Sequence, residues 1–204
     1  AAIENFTADD IAVMFDVWFT KANLAFLVQD SELTERYAVM TLEVLDATDR
    51  LQSVDAVAPE TALAILEVSS GRVDAAITRM ERIMLLVEQI LSPDSSVAME
   101  TRALFGLILT FSDATTEGDA LITNAVEAAR LRKDDRGRLT TLLGLQGVQL
   151  NALGKTEDAK RAFEEVILIY RDDQSFHGRK TLLNAFTELA SSYASEQNLK
   201  VAGE

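Results

Sequence analysis

Residues 147–163 contain the spacing that most restricts how this chain folds. They read Gly-Val-Gln-Leu-Asn-Ala-Leu-Gly-Lys-Thr-Glu-Asp-Ala-Lys-Arg-Ala-Phe, with small residues at Gly147 and Ala159 and an aromatic at Phe163. Small side chains at the first two positions allow two helices to approach closely, and Gly154 supplies the backbone freedom of a turn between them. The spacing therefore predicts a tight helical hairpin, with Phe163 filling the wedge between neighbouring hairpins.

Apolar residues recur with a helical period along nearly the whole chain, and no stretch alternates in the manner of a strand. The 204 residues include 9 glycines and only 2 prolines, which suits helices joined by short connections. Thr7 and Asp10 form a predicted capping box at the start of the first helix. The pattern predicts nine helices and a truncated tenth that begins near Asn198. The nine span residues 9–28, 32–48, 59–69, 72–91, 96–112, 117–132, 136–152, 156–171 and 178–195.

The hairpin of residues 147–163 recurs along the chain. Aligning each hairpin on the small residue early in its second helix selects Ala76, Ala120, Ala159 and Ala202. These residues lie 44, 39 and 43 positions apart, an average of 42. Around Ala76 the layout is repeated by Ala64, Gly71 and Met80. Around Ala120 it is weaker, because Thr115 replaces the turn glycine and Asn124 replaces the aromatic.

These residues resemble the tetratricopeptide repeat, a pair of antiparallel helices with small residues, a turn glycine and an aromatic at these offsets. The resemblance covers residues 57–204, whereas residues 1–56 offer only Ala38 and Leu42 as anchors and form an atypical first hairpin. The spacing exceeds the roughly 34 residues usual for this repeat, as in the longer-helix variants of kinesin light chains and bacterial regulators. The resemblance implies an all-α fold, a right-handed superhelix of stacked hairpins, which we expect to form one domain over residues 1–204.

The resemblance also implies a concave groove, lined by the first helix of each hairpin, that holds peptides or partner segments. Mapping the family's groove positions gives a mostly apolar lining, with Ile65, Val68, Arg102, Phe105, Leu109, Val148 and Asn151 as the expected partner-binding residues. The lysine and asparagine with which some members clamp the acidic tails of chaperones are replaced here. Such a groove suits an amphipathic helix or a hydrophobic peptide. The alternative is that these residues pack against one another.

The first predicted helix has little polar surface, although a terminal repeat is normally capped by one. Either this helix tucks into the superhelix, or it exposes an apolar patch for self-association. In the second case Trp18 and Phe19 are the expected anchors, because large aromatic side chains dominate the energetics of interfaces. The protein would then form a homodimer through its N-terminal helix.

Charge and composition exclude several other classes of function. The net charge of −14 opposes binding to nucleic acid, and no apolar run approaches the roughly 20 residues of a membrane span. The chain has no cysteine and a single histidine, His177, so thiolate and multi-histidine metal sites are excluded. Acidic pairs are adjacent in sequence and therefore point in different directions from a helix. We expect no catalytic residue, no metal site and no cofactor.

These observations predict a non-enzymatic scaffold for protein–protein interaction that binds a peptide or a helical segment. The alternative is a sensory or regulatory domain of a bacterial regulator, in which the pocket binds a small effector. The sequence begins with Ala-Ala and not with a methionine. This fits removal of an export signal and a start chosen within a longer chain equally well. The compartment therefore stays open between the cytoplasm and the periplasm.

Overall fold

The computed structural model describes residues 8–27, 30–132, 135–173 and 175–202. Within those residues it contains nine α-helices, a short 3₁₀ turn at Val54–Ala56 and no β-strand. The helices are α1 (Ala8–Leu27), α2 (Ser31–Ala47), α3 (Val57–Ser69), α4 (Val73–Ile90), α5 (Ser96–Leu109), α6 (Thr115–Arg130), α7 (Arg136–Ala152), α8 (Thr156–Tyr170) and α9 (Phe176–Ala202). The predicted all-helical fold is confirmed.

The end of the chain differs from the prediction. A truncated tenth helix from Asn198 is wrong, because α9 continues without a break to Ala202. Residues 193–200 contain neither glycine nor proline, so nothing in their sequence ends a helix. Ala202 therefore belongs to the same helix as Phe176 and does not mark a further hairpin.

The contacts between Cα atoms divide the chain into two compact units, residues 1–101 and 102–204, with the boundary inside α5. In the first unit, α2 packs against α1 and α3, and α3 packs against α4. In the second unit, α7 packs against α6 and α8, and α9 packs against α8 and α7. Helices therefore pair with their neighbours in sequence, as the hairpin pattern predicts. One continuous domain with right-handed winding stays a prediction.

Two turn glycines and two capping aspartates explain where several helices begin and end. Gly71 and Gly154 have φ angles of 75° and 70°, a left-handed conformation that favours glycine, which confirms both as turn residues. The Asp30 carboxylate accepts a hydrogen bond from the Leu33 N–H at 3.0 Å and caps α2. Asp135 caps α7 in the same way. Thr7 lies outside the described residues, so the predicted capping box of Thr7 and Asp10 stays a prediction.

Buried small residues mark a repeat that is more regular than the sequence suggests. In the second helices they are the fourth residues of α2, α4, α6 and α8, namely Thr34, Ala76, Gly118 and Ala159. In the first helices they are Ala22, Ala64, Gly106 and Gly147. Both series advance by 42, 42 and 41 residues. The first hairpin follows this spacing too, with Thr34 in the place of an alanine.

The sequence alignment of the third hairpin was wrong by two residues. Ala120 is exposed, whereas Gly118 is buried at the crossing of α5 and α6. Two residues correspond to about 200° of rotation around a helix, so Ala120 lies on the opposite side of α6. The position predicted for Asn124 is likewise occupied by the buried Ile122, and Thr115 begins α6 instead of forming the turn.

Candidate partner-binding surfaces

In the first unit the predicted groove residues lie on α3. Ile65 and Val68 are half-buried, whereas Thr61, one turn before Ile65, is buried. The Thr61 hydroxyl donates to the Val57 carbonyl at 2.7 Å, so its polar atom is satisfied within the helix. The first unit thus offers two partly accessible apolar side chains at the predicted positions.

In the second unit the predicted positions on α5 divide into surface and core. Arg102 and Phe105 are half-buried. Leu109 is only 4% exposed and packs at the crossing with α6, where a Cβ added to Gly118 would lie 3.2 Å from the Leu109 Cβ. Leu109 is therefore part of the core of this hairpin and contributes little surface.

A pocket of about 280 Å³ lies between α7, α8 and α9 within the second unit. Its apolar lining includes Val148 of α7 and Phe163 and Val166 of α8. Gly144 of α7 also lines it, and a Cβ added there would meet no atom within 4 Å. The wall from α9 adds polar groups at Thr181, Asn184 and Glu188. Thr140 and Thr141 of α7 complete the polar part of the lining, so the pocket combines apolar with polar side chains.

Asn151 holds α7 to α9. Its amide nitrogen donates to the Ser192 hydroxyl oxygen at 2.8 Å, and the Ser192 hydroxyl donates to the Glu188 carbonyl at 2.9 Å. Ser192 is fully buried, so this contact lies inside the packing of the two helices. The side chain predicted to contact a partner is engaged within the chain, next to the pocket that Glu188 lines.

Two polar features of the interior were missed by sequence reasoning. Gln149 of α7 is fully buried, and its side-chain amide has no hydrogen-bond partner among the described residues. In the first unit, Arg79 of α4 donates through Nη2 to Glu67 of α3 at 2.7 Å and also pairs with Glu60. The hydrogen bonds to Glu67, against the opposing effect of burial, raise the pKa of Arg79. The two carboxylates thus compensate the charge of a guanidinium that is half-buried between α3 and α4.

The N-terminal helix α1 keeps part of its apolar surface accessible. Trp18 and Phe19 are half-buried, and the Phe19 ring stacks on Phe15 with centroids 5.6 Å apart. Among the α1 side chains that the structure describes, the most exposed apolar ones are Val13 and Val17. The two aromatic residues predicted as interface anchors thus contribute only part of the accessible surface of α1.

The described residues contain no group of three or more histidine, aspartate and glutamate side chains placed to hold a metal ion. In the same part of the chain, no helix combines the length and the apolar character needed to cross a membrane.

The arrangement of paired antiparallel helices with small residues at each crossing defines an all-helical repeat protein. The fold is that of TPR-like repeats, because solved structures of this type align over nearly the whole chain. Repeats from a kinesin light chain of Podosopora anserina, described as nearly identical and TPR-like, superpose with a TM-score of 0.54 at 15% identity and cover 95% of this chain and 90% of theirs. A variant of that protein superposes with a TM-score of 0.55 at 15% identity, with 95% and 89% coverage. At this identity the likeness concerns the fold.

No family model and no curated protein matches this chain in sequence.

Proposed function

We propose that this chain is a non-catalytic scaffold that binds a hydrophobic peptide or an amphipathic helical segment. The observation that carries the proposal is the pocket between α7, α8 and α9, whose lining combines apolar and polar side chains. Peptide-binding grooves commonly combine apolar pockets, which take the anchoring side chains, with polar groups that fix orientation. TPR-like repeats as a fold favour the same class of function.

Val148 is the residue of this pocket that sequence reasoning singled out, and it is half-buried on α7. An apolar anchor of the bound segment would contact Val148, the accessible apolar side chain of the pocket, because Phe163 and Val166 are only 1% and 3% exposed and lie beneath it. The backbone or polar side chains of that segment would face Thr181 and Asn184 on α9. Ile65, Val68, Arg102 and Phe105 are proposed as further contacts, each on the surface of its own unit.

Selection from a library of short random peptides tests the proposal. The native chain should enrich peptides with apolar anchors one helical turn apart. Gly144→Leu should weaken binding of the enriched peptides about tenfold or more, because a Cβ at this position has free space around it and the rest of the new side chain would occupy the pocket that Gly144 lines. Val148→Glu should do the same by placing a charge beside the apolar side chains of the pocket.

Leu168→Glu is the matched control, because Leu168 is an exposed apolar residue of α8 outside the pocket. It should leave binding unchanged. Enrichment no better than that of an unrelated acidic protein would contradict the proposal, and so would equal weakening by Val148→Glu and Leu168→Glu.

A small effector is the second candidate ligand, as in a sensory domain of a bacterial regulator. The observation that favours it is the mixed polar and apolar lining of the pocket, whose volume of about 280 Å³ is just below the roughly 300–1,000 Å³ of small-molecule sites. A ligand that binds only the folded chain raises its melting temperature. A rise caused by a metabolite and removed by Gly144→Leu, without peptide enrichment, would favour this candidate.

A further inference from the structure

Glu188 is the only charged residue among the described side chains that line the pocket between α7, α8 and α9. It is half-buried, and its carboxylate forms no hydrogen bond or ion pair with the residues that the structure describes. Glu60, Glu67 and Glu165 are also half-buried or buried, and each of them pairs with an arginine. Carboxylates withdrawn from water are normally paired. Among these four glutamates, only Glu188 lacks a cation within the described part of the chain.

The two threonines of α7 in the lining have no hydrogen left to donate. The Thr140 hydroxyl donates to the Gly137 carbonyl at 2.9 Å, and the Thr141 hydroxyl donates to the same carbonyl at 3.0 Å. A hydroxyl carries one hydrogen, so both oxygens retain only the capacity to accept. The ionised carboxylate of Glu188 is likewise an acceptor without a hydrogen to donate. The pocket therefore suits a ligand group that donates hydrogen bonds.

The cations buried in the adjoining hairpin have partners of their own. The Lys160 ammonium of α8 lies 2.8 Å from the Glu157 carboxylate and 4.1 Å from the centroid of the Tyr193 ring. Arg138 of α7 pairs with Asp135 at 2.8 Å. These two positive charges are thus balanced by acidic residues of their own helices, and the charge of Glu188 remains available to a ligand.

Glu188 and Val148 lie at the same end of the pocket. The lining residues of α7 fall within residues 140–148 and those of α9 within 181–188. Both ranges precede the hydrogen bond between Asn151 and Ser192, which joins the two helices. Val148 comes three residues before Asn151 and Glu188 four before Ser192, about one helical turn in each case. The apolar side chain and the carboxylate are therefore both next to this hydrogen bond.

We propose that the pocket binds a basic side chain, lysine or arginine, of the bound segment, which pairs with Glu188 while an apolar anchor contacts Val148. This inference rests on the proposed function and adds the charge of the partner to it. In a helical segment the basic residue and the anchor should be three or four positions apart, because such residues share a face. A lysine ammonium donates three hydrogen bonds and accepts none, which complements Glu188, Thr140 and Thr141. The net charge of −14 also attracts a basic segment at long range.

The peptides that the native chain selects from a random library test this inference. They should carry lysine or arginine three or four positions from an apolar anchor. In one such peptide, replacing the basic residue with glutamine should weaken binding about tenfold, because a charge-assisted hydrogen bond is lost. Enriched peptides without a preference for a basic residue would overturn this inference and leave the proposed function intact. No enrichment at all would overturn both.

Glu188→Gln removes the charge and keeps the size of the side chain. This variant should bind the lysine peptide and its glutamine version with equal affinity. Glu164→Gln is the matched control, because Glu164 is an exposed glutamate of α8 outside the pocket. It changes the net charge by the same amount and should retain the tenfold preference. A preference that survives Glu188→Gln, or that Glu164→Gln abolishes equally, would overturn the proposal.

Reversing both charges separates direct pairing from a structural role of Glu188. Glu188→Lys should lose binding of the lysine peptide and should bind a version with glutamate at that position about tenfold more tightly than the lysine version. Circular dichroism melts establish that each variant is folded. A folded Glu188→Lys chain that does not prefer the glutamate version would contradict direct pairing.

Discussion

The hairpins α3–α4 and α7–α8 have the same spacing but are held together by different chemistry. In α3–α4 the crossing residues are Ala64 and Ala76, and ion pairs from Arg79 to Glu60 and Glu67 join the helices. In α7–α8 a Cβ at Gly147 would lie only 2.5 Å from the ring of Phe163. The hairpin α3–α4 therefore relies on a charged network, whereas α7–α8 relies on the fit of the Phe163 ring against the backbone at Gly147.

The contrast teaches that the repeat retains the positions of its contacts and not their residue types. Met80 of α4 and Phe163 of α8 are equivalent and both are buried. The smaller crossing residue, Gly147, accompanies the bulkier ring, so the two positions act as a matched pair. Substitutions should therefore have effects that depend on the hairpin in which they are made.

The largest loss of stability is expected where two backbones meet. In the hairpin α5–α6, a Cβ at Gly118 would lie 2.4 Å from the Gly106 carbonyl oxygen. Gly118→Ala should lower the free energy of unfolding by about 3 kcal/mol, because backbone cannot move aside as a side chain can. Urea denaturation measures the change. Gly144→Ala is the control and should stabilise by about 0.5 kcal/mol, since its site is open and alanine favours helix. Equal effects would contradict this interpretation of the crossing.

The charged network should be the next most sensitive feature. Glu67→Ala removes the carboxylate that binds two nitrogens of Arg79 and leaves the guanidinium with fewer partners. We expect a loss of about 2 kcal/mol, less than for a fully buried pair because Arg79 keeps Glu60 and some solvent contact. Glu81→Ala on the exposed side of α4 should cost less than about 0.5 kcal/mol. Equal melting temperatures for Glu67→Ala and Glu81→Ala would contradict the interpretation that this network stabilises the fold.

Gly147→Ala should cost about 1.5 kcal/mol, since the Phe163 ring can shift partly away from the new methyl group. The matched-pair interpretation makes a sharper prediction for the double variant. In the background Phe163→Leu, the additional cost of Gly147→Ala should fall markedly, which a double-mutant cycle detects as coupling. Strict additivity of the two changes would show that the residues are not matched.

The smallest expected effect is a gain. Gln149 is fully buried without a hydrogen-bond partner among the described residues, and the equivalent residue 41 positions earlier is the buried Ile108. Gln149→Leu should raise the free energy of unfolding by about 1 kcal/mol, because it removes an unsatisfied amide and keeps the volume. Gln149→Ala serves as the comparison and should destabilise through the cavity it leaves. A destabilising Gln149→Leu would indicate that the amide is satisfied in solution, for example by a buried water.

Helices, hairpins and turn glycines could be predicted from the sequence because they depend on local periodicity and on residues that restrict the backbone. The sequence pattern selected Ala120 instead of Gly118, because both are small residues near the start of α6 and the spacing alone does not distinguish them. Leu109 and Asn151 were predicted to bind a partner from the groove positions of the family. Their burial and their contacts instead depend on which helices pack against them. The pairs of Arg79 join residues 12 and 19 positions apart, which no local pattern reveals.

The pairing of helices with their neighbours in sequence also has a kinetic consequence. Each contact closes only a short loop, so little chain entropy is lost before the first stabilising contacts form. Proteins dominated by such local contacts refold in microseconds to milliseconds. In stopped-flow refolding, nucleation can begin in any hairpin, and a change such as Gly118→Ala should alter the rate only if its own hairpin belongs to the nucleus.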